Sequence, residues 1–273
     1  MKKRLAIILA LVLLFSLTAC GSGTSNFNYT SDGSGVAVTG YKGSGGNVVI
    51  PETINGLPVT RIESYAFASS DALASVTIPA GVTSIGDYAF SCCINLASVT
   101  IPDSVTAIGN SAFNGCKSLS AVALPNGLSS MGEYAFASCT NLASVTVPGH
   151  VASIEKNAFS DCTYLTSVTI QNGTVSIGHW AFHDCINLPS VTIPESVTNV
   201  DAAAFSECPC LASVYFEGNA PSVGNGAFDQ TAVDFTIYYR DGTSGWSNPW
   251  NGYTTASWPS LSPPPQTTVS FRP

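Results

Sequence analysis

The sequence predicts a β-rich solenoid, one short unit stacked eight times around a single continuous core. Three observations carry that expectation. Phenylalanines fall at Phe67, Phe90, Phe113, Phe136, Phe159, Phe182, Phe205 and Phe228, every interval is 23 residues, and each follows an Ala. Aliphatic columns keep the same register, among them Ile62, Ile85, Ile108, Met131, Ile154, Ile177, Val200 and Val223, five residues before each Phe. The composition, 10% charged and 45% apolar with 24 Gly, suits a repetitive β protein better than a helical bundle. A period held without insertion is the mark of a repeat architecture, in which no unit buries its apolar side alone and stacking completes the core.

The chain begins with an address. Met1, Lys2, Lys3 and Arg4 precede an apolar run from Leu5 to Leu17, and small residues then lead to Cys20. This is the order of a secretory signal peptide, and the run is shorter than the ~20 residues a spanning helix needs. Leu17-Thr18-Ala19-Cys20-Gly21 resembles a bacterial lipobox. The resemblance implies cleavage of residues 1–19, a lipid on Cys20, and attachment to the bacterial membrane facing the outside of the cell; two acyl chains suffice for stable anchoring. Cleavage removes three of nine cations and none of the 17 acids, which leaves a net charge of −11. That balance excludes nucleic acid as a partner, since phosphate needs a cationic surface. Residues 20–29 read as a lipidated Cys and tether.

Within each unit, Leu-x-x-Val-x-Ile reads as one short strand whose Val and Ile point inward at period two. Val-Thr-Ser-Ile-Gly, as at Val82–Gly86, reads as a second strand ended by a Gly turn. The stretch between them, such as Asp87–Asn95, predicts one 3₁₀ or α turn that presents Ala and Phe to the core. Pro79, Pro102, Pro125, Pro148 and Pro194 end pairing after the first strand.

Ile101 to Leu119, Ile-Pro-Asp-Ser-Val-Thr-Ala-Ile-Gly-Asn-Ser-Ala-Phe-Asn-Gly-Cys-Lys-Ser-Leu, resembles the repeat of BspA-type leucine-rich proteins of bacterial surfaces. The resemblance covers about residues 36–254 and implies a right-handed leucine-rich-repeat superhelix. Val36–Val38 and Asn47–Ile50 read as a hairpin in an N-terminal cap over 30–58, with Pro51 to Val59 similar to the family's usual start. The solenoid spans 59–239. Trp246, Trp250 and Tyr253 form an aromatic cap within 240–258, since terminal repeats must cover an open core edge. Residues 259–273, rich in Pro, Ser and Thr, read as a disordered tail.

Cys93, Cys116, Cys139, Cys162, Cys185 and Cys208 share one column, three residues after each Phe. Neighbouring rungs ~4.8 Å apart with parallel Cβ vectors disfavour disulfides, so the column reads as buried thiols acting as small hydrophobes. No catalytic constellation, cofactor motif or metal-ligand spacing emerges. His179 and His183 have i, i+4 spacing, but their columns elsewhere hold Asp87, Asn110, Glu133, Ser91 and Asn114, the profile of solvated positions.

The residues between the inward positions of the first strand point outward. They are Ser75, Ser98, Ala121, Ser144, Ser167, Ser190, Ser213 and Thr236, then Thr77, Thr100, Ala123, Thr146, Thr169, Thr192, Tyr215 and Tyr238. By analogy with leucine-rich repeats this is the concave face. Duplication alone also copies Thr, a good strand residue, into every rung. Tyr215 and Tyr238 read either as exposed anchors of an interface or as a shield for the C-terminal edge. The resemblance implies a non-catalytic role in adhesion or protein recognition, with an extracellular protein or glycan as partner. Carbohydrate capture is the first alternative and ice binding through the Ser/Thr columns the remote one.

Overall fold

The computed structural model describes residues 24–259. Among these the one helical element is a 3₁₀ turn at Thr24–Asn26; the rest is strand and turn. Most 23-residue units contribute one strand to each of two parallel-paired sides. The first runs through Gly46–Val49, Leu73–Thr77 and Ser98–Thr100. It narrows to single bridges at Ala121, then continues through Ser144–Val147, Ser167–Ile170, Ser190–Ile193, Ser213–Phe216, Thr236–Arg240 and Thr255–Trp258. Pairing joins residues 23 apart, Ser144 to Ser167 and Val145 to Val168, so the sequence period is the structural register. The second side starts with Val36–Tyr41 and Leu57–Ile62 and proceeds by two-residue strands in two sheets, one reaching Ser130–Met131 through Ser84–Ile85 and the other running from Ser153–Ile154 through Ser176–Ile177 to Ser222–Val223.

Alternation follows the pleat. In Ser144–Val147 and Ser167–Ile170 the pattern is exposed, buried, exposed, buried. The eight Phe side chains are at most 1% exposed and stack face to face along the molecule, with centroids 4.8 to 5.6 Å apart. Each such pair adds about 0.5–1.5 kcal/mol beyond the area it buries.

The third side of the unit differs from the 3₁₀ or α turn expected. Two positions per unit are left-handed: two before the Phe (Tyr65, Tyr88, Ser111, Tyr134, Asn157, Trp180, Ala203, Gly226) and two after it (Ser69, Cys92, Gly115, Ser138, Asp161, Asp184, Glu207, Gln230). Alternate N–H groups make local i to i−3 bonds, as Ala68 to Tyr65 and Ser70 to Phe67. The others donate to the next rung: Tyr65 to Asp87, Phe67 to Ala89, Ser69 to Ser91. A continuous 3₁₀ turn would keep every bond inside its own rung. Flipping alternate residues sends half the donors along the axis and pairs buried backbone that would otherwise lack partners.

The ends also correct the expected layout. Val36–Tyr41 and Gly46–Val49 are not partners in a hairpin. Val36–Tyr41 pairs antiparallel with Phe27–Ser31 and parallel with Leu57–Ile62, whereas Gly46–Val49 pairs with Leu73–Thr77. Together they make an irregular first rung, in which the Tyr41 ring stacks on Phe67 at 5.3 Å and extends the Phe column. The order therefore begins inside the stretch read as a tether. Thr53–Ile54 folds back on Leu57-Pro58 through Asn55-Gly56, both at positive φ (51° and 80°), the dihedrals a two-residue hairpin turn demands. At the far end Trp250 is buried and meets Phe216 edge-on at 6.0 Å, and Tyr253 meets Phe228 edge-on at 5.4 Å. The Tyr253 hydroxyl accepts the Phe228 N–H, a donor with no further rung to serve. The stretch read as a signal peptide, Cys20, and the part after Pro259 of the stretch read as a tail lie outside the described residues.

Candidate interaction surfaces

The outward Ser/Thr columns are placed as the sequence indicates over the first part of the ladder. Thr77, Ser98, Thr100, Ser144, Thr146, Ser167 and Thr169 are exposed and Ser75 is half-buried. Toward the C-terminal end the face closes. Ser190, Thr192, Thr236 and Tyr238 are half-buried, while Ser213 and Tyr215 are 5% and 2% exposed. Tyr215 stacks on Tyr238 at 5.0 Å and meets the Trp258 ring edge-on at 5.6 Å. Trp258 belongs to Thr255–Trp258, a strand added beyond the last recognisable repeat. Tyr215 is thus not an exposed anchor; of the two readings of this pair, the shield fits its burial. Arg240, paired with Glu217 at 2.7 Å and lying over the Trp258 ring at 5.8 Å, fastens the same corner.

The thiol column is buried, and all eight cysteines among the described residues are free. Each column thiol donates to a Phe carbonyl of the preceding rung: Cys93 to Phe67, Cys116 to Phe90, Cys139 to Phe113, Cys162 to Phe136, Cys185 to Phe159 and Cys208 to Phe182, at 3.0 to 3.4 Å. Cys is therefore a small hydrophobe and a donor at once. Burial pushes the Cys93, Cys162 and Cys208 thiols up to about 12, and Cys116, Cys139 and Cys185 well above their ordinary value. Cys92 and Cys210 lie outside the column and are exposed.

His179 packs against Trp180 at 4.1 Å, and His183 Nδ1 lies 2.9 Å from the Ser206 hydroxyl. No group of three or more His, Cys, Asp or Glu side chains among the described residues could hold a metal ion. Asp161, Asp184 and Glu207 follow one another in the second left-handed column. Burial first, then the neighbouring Asp161 and Glu207, raises the Asp184 carboxyl above its ordinary value.

Sequence reasoning missed the exposed aromatics of the first left-handed column. Tyr65 is 62% exposed, Tyr88 38% and Trp180 39%, and the Tyr65 and Tyr88 rings stack at 4.9 Å with planes 3° apart. The Lys156 ammonium sits over the Trp180 ring at 5.9 Å. The signal was present two residues before each Phe, but nothing in Tyr, Ser or Trp announces a left-handed backbone.

Two parallel ladders, a stacked Phe column and a strict 23-residue register define a leucine-rich-repeat solenoid. The BspA type leucine rich repeat region matches six copies over residues 46–165 and 132–243, and the chain belongs to that family. The fold is similar to the Treponema pallidum leucine-rich repeat protein, with 31% identity, 75% of this chain and 86% of that one covered, and a TM-score of 0.57. It is also similar to a leucine-rich cell surface protein of Faecalibacterium prausnitzii, with 26% identity, coverage of 80% and 70%, and a TM-score of 0.66. A leucine-rich repeat protein of Eubacterium ventriosum matches at 25% identity over 77% of this chain and 51% of that one, with a TM-score of 0.52. No match is found among curated proteins.

Proposed function

We propose that the protein is a non-catalytic recognition scaffold displayed on the bacterial surface, held there by a lipid on Cys20, and that it adheres to extracellular proteins. The observation that carries this reading is the uncharged exposed face from Thr77 to Thr169, interrupted at Ala121 and Ala123 and paired at 23-residue register on either side of them. A rigid face of repeated hydroxyls favours many weak contacts acting together over one deep pocket. Membership of a family whose structural relatives include a cell surface protein supports the location.

The test immobilises the purified protein and captures partners from extracellular matrix and bacterial surface extracts. Thr146→Lys with Thr169→Lys sets two cations in the middle of the face. Capture should fall at least tenfold with the fold unchanged by circular dichroism. Equal capture by the variant would move the contact to another face, and no partner at all would overturn adhesion. Carbohydrate capture remains the second reading, favoured by the exposed Tyr65, Tyr164 and Trp180 rings; a glycan array tests it.

A further inference from the structure

The last rung keeps backbone groups that earlier rungs spend on their neighbours. One rung earlier, the Ala203 N–H donates to the Asn225 carbonyl, and the Val200 carbonyl accepts the Gly224 N–H. The equivalent groups of the last rung are the Gly226 N–H and the Val223 carbonyl, and neither has a partner among the described residues. The C-terminal cap returns beside them. Val223, Asn225, Gly226, Asp229, Asn251 and Tyr253 all line one pocket of about 360 Å³ between the last rung and the cap. That volume lies at the small end of the range for small-molecule sites. Gly226, at φ 64°, carries no side chain, and a Cβ there would lie 2.8 Å from Asp229 Oδ2. The Asp229 carboxylate therefore takes the space that a side chain fills in the other rungs of this column. The Tyr253 hydroxyl accepts the Phe228 N–H at 3.3 Å and donates to Asp229 Oδ1 at 3.2 Å. That bond orients the carboxylate and leaves Oδ2 without a donor among the described residues. The exposed side-chain amides of Asn225 and Asn251 are likewise unbonded there.

The pocket thus presents a carboxylate oxygen and a carbonyl as acceptors, an N–H as donor, and two amides that serve as both. Three classes of ligand match it badly. Asp229 repels an anion. A divalent cation needs several oxygen ligands, whereas one carboxylate is present and the Gly226 N–H opposes positive charge. An added peptide strand would run past Gly226 into Tyr253, whose hydroxyl already holds the next outward donor, the Phe228 N–H. A neutral polyhydroxy ligand matches well, because each hydroxyl both donates and accepts. Neighbouring hydroxyls of one sugar ring can donate to Asp229 Oδ2 and accept from the Gly226 N–H, with the Asn225 and Asn251 amides beside them. We infer that this pocket is a saccharide-binding site that holds one sugar residue by its ring hydroxyls. The inference is independent of the adhesion reading, and it gives the carbohydrate reading a site other than the exposed rings.

The test titrates the full chain with methyl α-mannoside, methyl β-galactoside and methyl β-N-acetylglucosaminide, followed by saturation-transfer NMR. At least one glycoside should bind saturably. Asp229→Asn keeps an acceptor for the Tyr253 hydroxyl but turns Oδ2 into a donor. It should weaken binding at least tenfold, as loss of a hydrogen bond to a charged group does. Asn225→Ala removes an exposed amide and should weaken binding at least threefold. Asp71→Asn makes the same charge change at an exposed position elsewhere and should cost less than twofold, as should Thr146→Lys with Thr169→Lys. The site is refuted if none of the three glycosides binds the wild-type chain, or if natively folded Asp229→Asn and Asn225→Ala bind as tightly as wild type. It is equally refuted if the Thr146 and Thr169 pair abolishes binding, which would put the sugar on the Ser/Thr face, or if EDTA does, which would put a metal ion in the contact. Capture of a partner from extracts without glycoside binding would remove this site and leave the adhesion reading standing. Glycoside binding without any captured partner would do the reverse.

Discussion

A thiol that donates to a Phe carbonyl one rung back fills a gap and satisfies an acceptor together. Cys139→Ala removes both contributions at the centre of the stack, so the expected loss is about 1–2 kcal/mol, read from urea unfolding. Burial also sets reactivity, because the thiolate is the nucleophile and these thiols titrate far above neutrality. In the native protein at pH 8, Ellman's reagent should modify Cys92 and Cys210 and leave the six column thiols protected until denaturant is added. The same shifts give a pH dependence. A thiol raised in the folded state contributes its stability fully below its unfolded value near 9 and loses it as pH rises from there toward about 12. The urea midpoint should therefore fall between pH 8 and pH 10.5. It should fall less in a variant with Cys116, Cys139 and Cys162 replaced by Ala; an equal fall would assign the effect to other groups.

The turn segments show where pattern reading stops. The strands were legible because Leu-x-x-Val-x-Ile states its period and its inward face, and Ser144–Val147 alternates as that pattern demands. The left-handed positions were not, since Gly226 and Asn157 are the residues that usually mark them, while Tyr, Ser, Trp and Ala hold the same place in other rungs. What enforces that backbone is long-range, the donation of alternate N–H groups to the following rung. Tyr215 was left between anchor and shield for a similar reason: its cover, Trp258, lies beyond the last recognisable repeat. Ala203 offers the cleanest measure of the local cost. At φ 55° its Cβ opposes the backbone, by about 1–2 kcal/mol in general, and Gly relieves that at a smaller entropic cost. Ala203→Gly should stabilise the protein by about 0.5–1 kcal/mol in urea unfolding; destabilisation would mean that the Ala203 methyl is packed to more effect than its half-buried position indicates.

Over the whole molecule, stability is a sum of rungs and of the interfaces between neighbours, because pairing joins units 23 residues apart. The Phe rings carry every central interface at 4.8 to 5.6 Å, whereas strand pairing thins to single bridges at Ala121. The ends are not equivalent. The N-terminal edge carries Phe27 and Tyr41 over Phe67, whereas the C-terminal edge depends on Trp250 and Tyr253 over Phe216 and Phe228. Phe136→Ala, in the middle, should cost about 3–5 kcal/mol and weaken the coupling on both sides of its rung. Trp250→Ala removes a similar volume from one end, so its effect should be directional. Hydrogen exchange should accelerate most in Thr236–Arg240, less in Ser213–Phe216, and hardly at all in Ser98–Thr100, since opening of a linear array begins at its uncovered edge. Uniform acceleration along the ladder would instead show that the solenoid opens as one cooperative unit, in which the cap stabilises every rung equally.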